Sequence, residues 1–146
     1  GRRTLRAADF YQGLFTTALE PDELLVEIEL PAPRPRTGWA MLEMARRRGD
    51  DAIVGLAATV ELDAAGRCTE ARLIYLSVGE GPTPAPTATA LLAGQVPTPE
   101  AIAAAAHAAA TADIEPLADI HASAAYRRHL VEVLARRALT EAVARA

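Results

Sequence analysis

An α+β fold, a three-stranded antiparallel meander followed by three helices, is what this sequence predicts, and three observations lead to it. Three strand-like runs, Gly38 to Arg46, Ile53 to Leu62 and Thr69 to Val78, are separated by only a few residues each. Connections that short force antiparallel neighbours. Beyond the turn from Gly81 to Pro86 the apolar spacing changes to that of helices and stays so to the last residues. Pro31, Pro33 and Pro35 fall ahead of all this, where each fixes φ and removes a ladder donor, so a linker precedes the meander.

Taken in order, Glu23 to Leu30 (ELLVEIEL) puts Leu24, Val26, Ile28 and Leu30 on one face and Glu27 and Glu29 on the other, the two-residue period of a half-buried strand. The proline linker then marks a domain boundary: residues 1–37 form the end of one domain and its linker, residues 38–146 a second domain. Within the meander, Arg47 to Asp51 holds Gly49 and two aspartates, and Asp63-Ala64-Ala65-Gly66 ends in the Gly that a type I turn favours. Ile53 to Leu62 is apolar on both faces until Glu61, as a middle strand should be. Thr87 to Ala93 reads as a short helix closed by Gly94. The second helix has Thr98 as cap, Pro99 in the first position and Glu100 at the positive end of the macrodipole, ahead of Ala101 to Ala112. The third starts after Ser123 and runs to about Arg145. Its stripe of Tyr126, Leu130, Val133, Leu134, Ala138 and Ala142 should face the sheet, with Arg127, Arg128, Arg136 and Arg145 mostly off it.

The bulk numbers exclude several functions. The chain has 146 residues, 51% hydrophobic, with a net charge of −4, and all fifteen of its basic residues are arginine. That suits one folded domain or little more. With no basic face, nucleic acid is not an expected partner. The longest apolar stretches, Ala52 to Val60 and Ala101 to Ala110, are far short of the roughly 20 residues of a membrane span. One cysteine, Cys68, supplies neither a disulfide framework nor the thiolates of a cluster, and no signal peptide is visible, so the cytoplasm is the expected compartment.

Few residues suggest chemistry of their own. Asp50 and Asp51 read as turn residues, not paired catalytic carboxylates. Arg46, Arg47 and Arg48 form the one basic run, a local ion-pair cluster or a subunit contact. His107, His121 and His129 lack the close pairing on a helix face that metal ligation needs, so no metal site is expected. Asp119 and His121 read as a polar turn orienting the last helix. Ser77 and Ser123 stand in no nucleophile elbow, Gly79-Glu80-Gly81 reads as a turn, and Cys68 as an ordinary strand-edge residue. No catalytic residue is assigned.

Four stretches, in this order, resemble the FAD-binding (medium) subunit of molybdenum hydroxylases of the carbon monoxide dehydrogenase and xanthine dehydrogenase type. They are FYQGLFTTALEPDELLVEIELP from Phe10, ARRRGDDAIVGLAA from Ala45, GPTP with ALLAG following, and DIHASAAYRRHLVEVLARRAL from Asp119. The resemblance implies the C-terminal portion of that subunit, whose C-terminal domain has three strands and three helices. It further implies an oxidoreductase complex in which the FAD of the medium subunit takes electrons from iron–sulfur clusters in a small subunit, while a large subunit holds the molybdenum cofactor. Most of the FAD would be bound by glycine-rich turns that these residues do not contain, so the chain alone should neither hold FAD tightly nor turn over substrate. By resemblance the FYQGLFTT stretch passes the isoalloxazine ring, which makes Leu14, Phe15 and Thr16 the candidate FAD contacts. Phe15 and Thr16 stand where some relatives have a tyrosine or a lysine, and Pro86 where an arginine is common. Two other readings stay open: a non-catalytic docking and assembly domain, and a folded remnant of a truncated subunit. A homodimer is also open for the isolated chain.

Overall fold

The antiparallel arrangement that short separators demand is present in the computed structural model, which describes residues 1–47 and 49–146. Strands β3 (Thr37–Met44), β4 (Val54–Leu62) and β5 (Cys68–Leu76) lie side by side in chain order, preceded by a small hairpin of β1 (Tyr11–Gly13) and β2 (Thr16–Thr17). A helical turn, α1 (Ala7–Phe10), leads into that hairpin. The meander carries one strand more than expected: β6 (Thr83–Pro84) turns back along β5, pairing Thr83 with Tyr75 and Pro84 with Ile74. Pro84 can sit there because an edge strand tolerates a missing donor.

Register explains the burial. Val54, Leu56, Ala58 and Val60 of β4 point to one face and are buried, as are Leu73 and Tyr75 of β5. On the other face Trp39 and Met41 of β3 are exposed. The helices cover the first face only. α2 (Pro86–Leu92) packs on β5, α3 (Pro99–Ala108) packs on α2, and α4 (Ala124–Arg145) crosses β3 and β4. Their starts follow the expected chemistry: Thr98 Oγ1 accepts from Ala101 N at 3.2 Å and Ser123 Oγ from Tyr126 N at 3.2 Å. Gly94 takes φ +74° after α2, as a left-handed terminating residue should. α3 does not continue as α-helix to Ala112. It ends in a π-helical turn, Ala109–Asp113, and Asp113 turns back to accept from Thr87 N and Ala88 N, which caps α2.

The seam between α4 and the sheet depends on small residues. A Cβ on Gly38 would lie 1.8 Å from Ala142 O, so glycine lets β3 and α4 meet backbone to backbone. Ala135, Ala138, Leu139 and Ala142 are completely buried there, and each large aliphatic chain so buried contributes about 1.5–3 kcal/mol. Tyr75 reaches through this layer, its hydroxyl donating to Val131 O at 3.1 Å.

Three expectations are corrected. Glu23 to Leu30 forms no strand: it pairs with no other strand among the described residues, and Leu24, Val26, Ile28 and Leu30 are exposed. The two-residue period is real, but a strand needs a neighbour to satisfy its ladder groups. The buried stripe of α4 consists of Arg127, Leu130, Val131, Leu134, Ala135, Ala138, Leu139 and Ala142, so Tyr126 and Val133 lie off it while Arg127 lies on it. Cys68 does stand at the end of its strand, as the first residue of β5, but it is fully buried there with its backbone held by Gln95 O and Gly94 N.

Candidate flavin-facing hairpin and the cluster beneath it

The FYQGLFTT stretch folds on itself because Tyr11 pairs with Thr17 and Gly13 with Thr16, leaving Leu14 and Phe15 as the two-residue turn. Phe15 adopts φ +56°, a left-handed conformation that costs a non-glycine residue about 1–3 kcal/mol. Its ring is 100% exposed and Leu14 is 63% exposed. The tip therefore presents two apolar side chains and no polar partner for them. Beside them Thr16 Oγ1 donates back to Leu14 O at 3.2 Å, which orients the hydroxyl within the turn. All three candidate residues are thus brought together at one tip.

The base of the hairpin is braced. Ala18 N donates to Phe10 O, and the Phe10 and Tyr11 rings meet edge to face with centroids 5.3 Å apart. Arg3 reaches across, Nη2 donating to Ala18 O at 2.6 Å and Nε to Glu23 Oε1 at 2.7 Å. The Arg3 guanidinium, with help from the Glu20 amide, holds the Glu23 carboxyl down at about 2. The other side of the hairpin lies against the turn that joins β5 to β6. A Cβ placed on Gly13 would be 3.6 Å from Glu80 Oε2, and one on Gly81 would be 3.8 Å from Tyr11 Cβ.

Under that turn is a buried cation that sequence reasoning put on the surface. Arg127 is only 6% exposed. Its Nη1 donates to Ile53 O and, at 2.8 Å, to Ser77 O, and its Nη2 pairs with Asp119 Oδ2. Asp119 also accepts from His121 N and Ala122 N through Oδ1, and the Arg127 contact with these two amides holds its carboxyl at about 2. The polar turn before α4 is thus confirmed, with His121 supplying only its backbone. The signal in the sequence was Arg127 itself, three residues before Leu130 and seven before Leu134 on the apolar stripe.

The remaining candidates stay apart. Arg47 meets Asp50 at 4.0 Å in an exposed turn, consistent with a local ion pair. Arg46 is exposed, and Arg48 lies outside the described residues. His107 Nδ1 lies 3.4 Å from Glu132 Oε2, far from His121 in the chain, and no group of three metal-ligating side chains occurs among the described residues. Gly79-Glu80-Gly81 is a turn, tight enough that a Cβ on Gly79 would lie 2.8 Å from Thr83 Oγ1. Among the described residues no helix is long and apolar enough to cross a membrane.

Comparison with known proteins accounts for this arrangement. The family described as CO dehydrogenase flavoprotein C-terminal domain matches residues 39–142. The chain is 34% identical over 146 residues to the 6-hydroxypseudooxynicotine dehydrogenase complex subunit alpha of Paenarthrobacter nicotinovorans, covering 100% of this chain and 49% of that one. It is 35% identical to the carbon monoxide dehydrogenase medium chain of Afipia carboxidovorans, covering 100% and 50%. Among solved structures, a chain of carbon monoxide dehydrogenase from Hydrogenophaga pseudoflava superimposes with a TM-score of 0.92 at 36% identity, over 100% of this chain and 50% of that one. The chain thus spans about half the length of the relatives it matches. With its antiparallel sheet backed by helices on one face, it belongs to the CO dehydrogenase flavoprotein C-terminal domain family, the C-terminal portion of the FAD-binding medium subunit.

Proposed function

We propose that the chain serves a molybdenum-containing oxidoreductase by completing the flavin site and carrying its C-terminal domain, residues 1–37 belonging to the flavin-binding unit and residues 38–146 to that domain. The hairpin supports this most directly: a strained, fully exposed Phe15 beside an exposed Leu14, at the tip of a hairpin whose base Arg3 braces. Backbone strain persists where surrounding structure holds it and is concentrated at functional sites. An apolar tip with one hydroxyl beside it fits the flat, largely apolar ring of a flavin, and Leu14, Phe15 and Thr16 would hold it. FAD, when bound, supplies the electron carriage between iron–sulfur clusters of a small subunit and the final acceptor, while the molybdenum cofactor belongs to a large subunit. The protein's part is to fix the ring's position and exclude water from one face.

The phosphate-binding turns expected for FAD are not in these residues, so the 146-residue chain should show no saturable FAD binding. A chain purified yellow with stoichiometric FAD would refute that division of labour. In the full-length subunit, Phe15→Ser should leave FAD content intact while changing the visible circular dichroism of the flavin. An unchanged spectrum would sink the assignment of the hairpin.

A docking role is the second reading, and the uncovered outer face of the sheet favours it, with Trp39 and Met41 exposed. Charge reversal at Arg46, Arg47 and Arg128 tests it through complex assembly. Arg127 drops out of that test because it is buried.

A further inference from the structure

We infer that Arg127 is a positioning residue for the flavin-facing hairpin, acting through the turn between β5 and β6; this rests on the proposal that the hairpin meets the flavin. A buried guanidinium left unpaired would be strongly unfavourable, and here the two terminal nitrogens carry all the acceptors while Nε has none. Two of the acceptors of Arg127 are the carbonyls of Ile53, just before β4, and Ser77, just after β5, at the same end of two neighbouring strands. Ser77 takes φ +61°, a conformation in which a serine carbonyl stays only if something fixes it. Arg127 does so from below. At the other end of the turn Thr83 Oγ1 donates to Gly81 O at 2.9 Å, and Val78 is buried. The turn from Ser77 to Gly81 is therefore set at both ends.

That turn lies close to the hairpin: a Cβ on Gly13 would be 3.6 Å from Glu80 Oε2, and one on Gly81 would be 3.8 Å from Tyr11 Cβ. Leu14 and Phe15 lie in the next two positions of the chain after Gly13. A path thus runs from Asp119 and Arg127 to Ser77 by hydrogen bonds, and along the turn to the neighbouring base of the hairpin at Tyr11 and Gly13. The acidic end of the path is partly open to solvent, the side chain of Asp119 being 46% exposed against 7% for Arg127. Substituting Asp119 consequently loosens the clamp without opening the core.

The test uses the full-length medium subunit in its complex, with Arg127→Met, Arg127→Lys and Asp119→Ala, and with Leu134→Ala as a destabilising control elsewhere on α4. Two readouts are taken: the visible circular dichroism of the bound flavin, and amide exchange across Tyr11–Thr17 and Ser77–Gly81 in flavin-free protein. Arg127→Met and Asp119→Ala should retain FAD, change the flavin band, and speed exchange of both segments about tenfold. Arg127→Lys should restore part of the band, and Leu134→Ala should alter neither readout. The inference is overturned if Leu134→Ala shifts the band as far as Arg127→Met does, or if the arginine and aspartate variants leave both readouts unchanged. Should Arg127→Met not fold, Asp119→Ala decides alone. A Phe15→Ser variant separates the two levels. If it changes the band while the Arg127 and Asp119 variants do not, only the positioning role fails. If it too is silent, the hairpin assignment itself falls.

Discussion

Gly38→Ala should be the most damaging single-methyl change in the chain. The added Cβ would lie 1.8 Å from Ala142 O, 2.8 Å from Ala142 C and 2.7 Å from Ala146 N, all backbone atoms that no rotamer change can move. Ordinary contact begins at 3.4 Å, so β3 and the end of α4 must part by about 1.6 Å. Parting there opens the seam formed by Ala138, Leu139 and Ala142, all of them completely buried. Overpacking a well-filled core costs about 1–3 kcal/mol, and a clash with main chain belongs at the upper end. For a domain of this size about 3 kcal/mol lowers the melting temperature by roughly 10 °C. The protein carries its own reporter. Trp39 is its one tryptophan, with the Arg145 guanidinium 5.0 Å above its ring and Arg145 Nη1 donating to its carbonyl at 2.7 Å. Displacing the last turn of α4 removes both contacts, so Trp39 emission should change in native buffer before any melting. Gly66→Ala serves as the comparison, since its φ of +75° is unfavourable for alanine but its surroundings are empty. A Gly38→Ala protein that melts no lower than Gly66→Ala, with unchanged Trp39 emission, would refute the close approach of strand and helix.

Other perturbations read out separate parts of the fold. Tyr75→Phe removes one buried hydrogen bond, to Val131 O, and should cost about 0.5–1.5 kcal/mol by chemical denaturation with an unchanged m-value. A loss above about 3 kcal/mol would mean that the ring repacks. Asp113→Ala leaves Thr87 N and Ala88 N of α2 without their acceptor, which should cost about 1 kcal/mol, as losing a cap does; amide exchange confined to α2 would show it. Asp119 gives a pH dependence. Its carboxyl is held at about 2 in the folded protein, below the unfolded value of about 3.9, so its contribution is complete above pH about 4 and is lost as the pH falls toward 2. The melting temperatures of wild type and Asp119→Asn should therefore differ at pH 6 and converge near pH 2. A gap that persists at the lowest pH would point to lost geometry rather than lost charge.

The elements that depend on local chemistry were legible in the sequence. Thr98 and Ser123 as caps, Gly94 as a terminator and the hairpin turn at Asp63 to Gly66 each satisfy a rule that operates within a few residues. The strand at Glu23 to Leu30 failed for the complementary reason, because alternation states which face could be buried and not whether a neighbouring strand exists to pair with. The short strand at Thr83–Pro84 was hidden by its proline, since only an edge position makes it acceptable.

Arg127 shows how far a pattern can be trusted when residue type contradicts it. Its position three residues before Leu130 and seven before Leu134 places it on the buried stripe, whereas the usual exposure of arginine assigns it to solvent. Periodicity is set by the geometry of the helix, which no side chain can alter, while exposure is a tendency that a carboxylate and two carbonyls overturn locally. Geometry therefore prevails, and an arginine on the buried stripe requires acceptors within its reach. Asp119, eight residues earlier and already read as a turn, was the carboxylate within reach. The carbonyls of Ile53 and Ser77 could not have been named, since both depend on how the sheet lies against α4. A charged residue on an otherwise apolar stripe is for this reason better read as a clamp with unnamed partners than as an exception to the stripe.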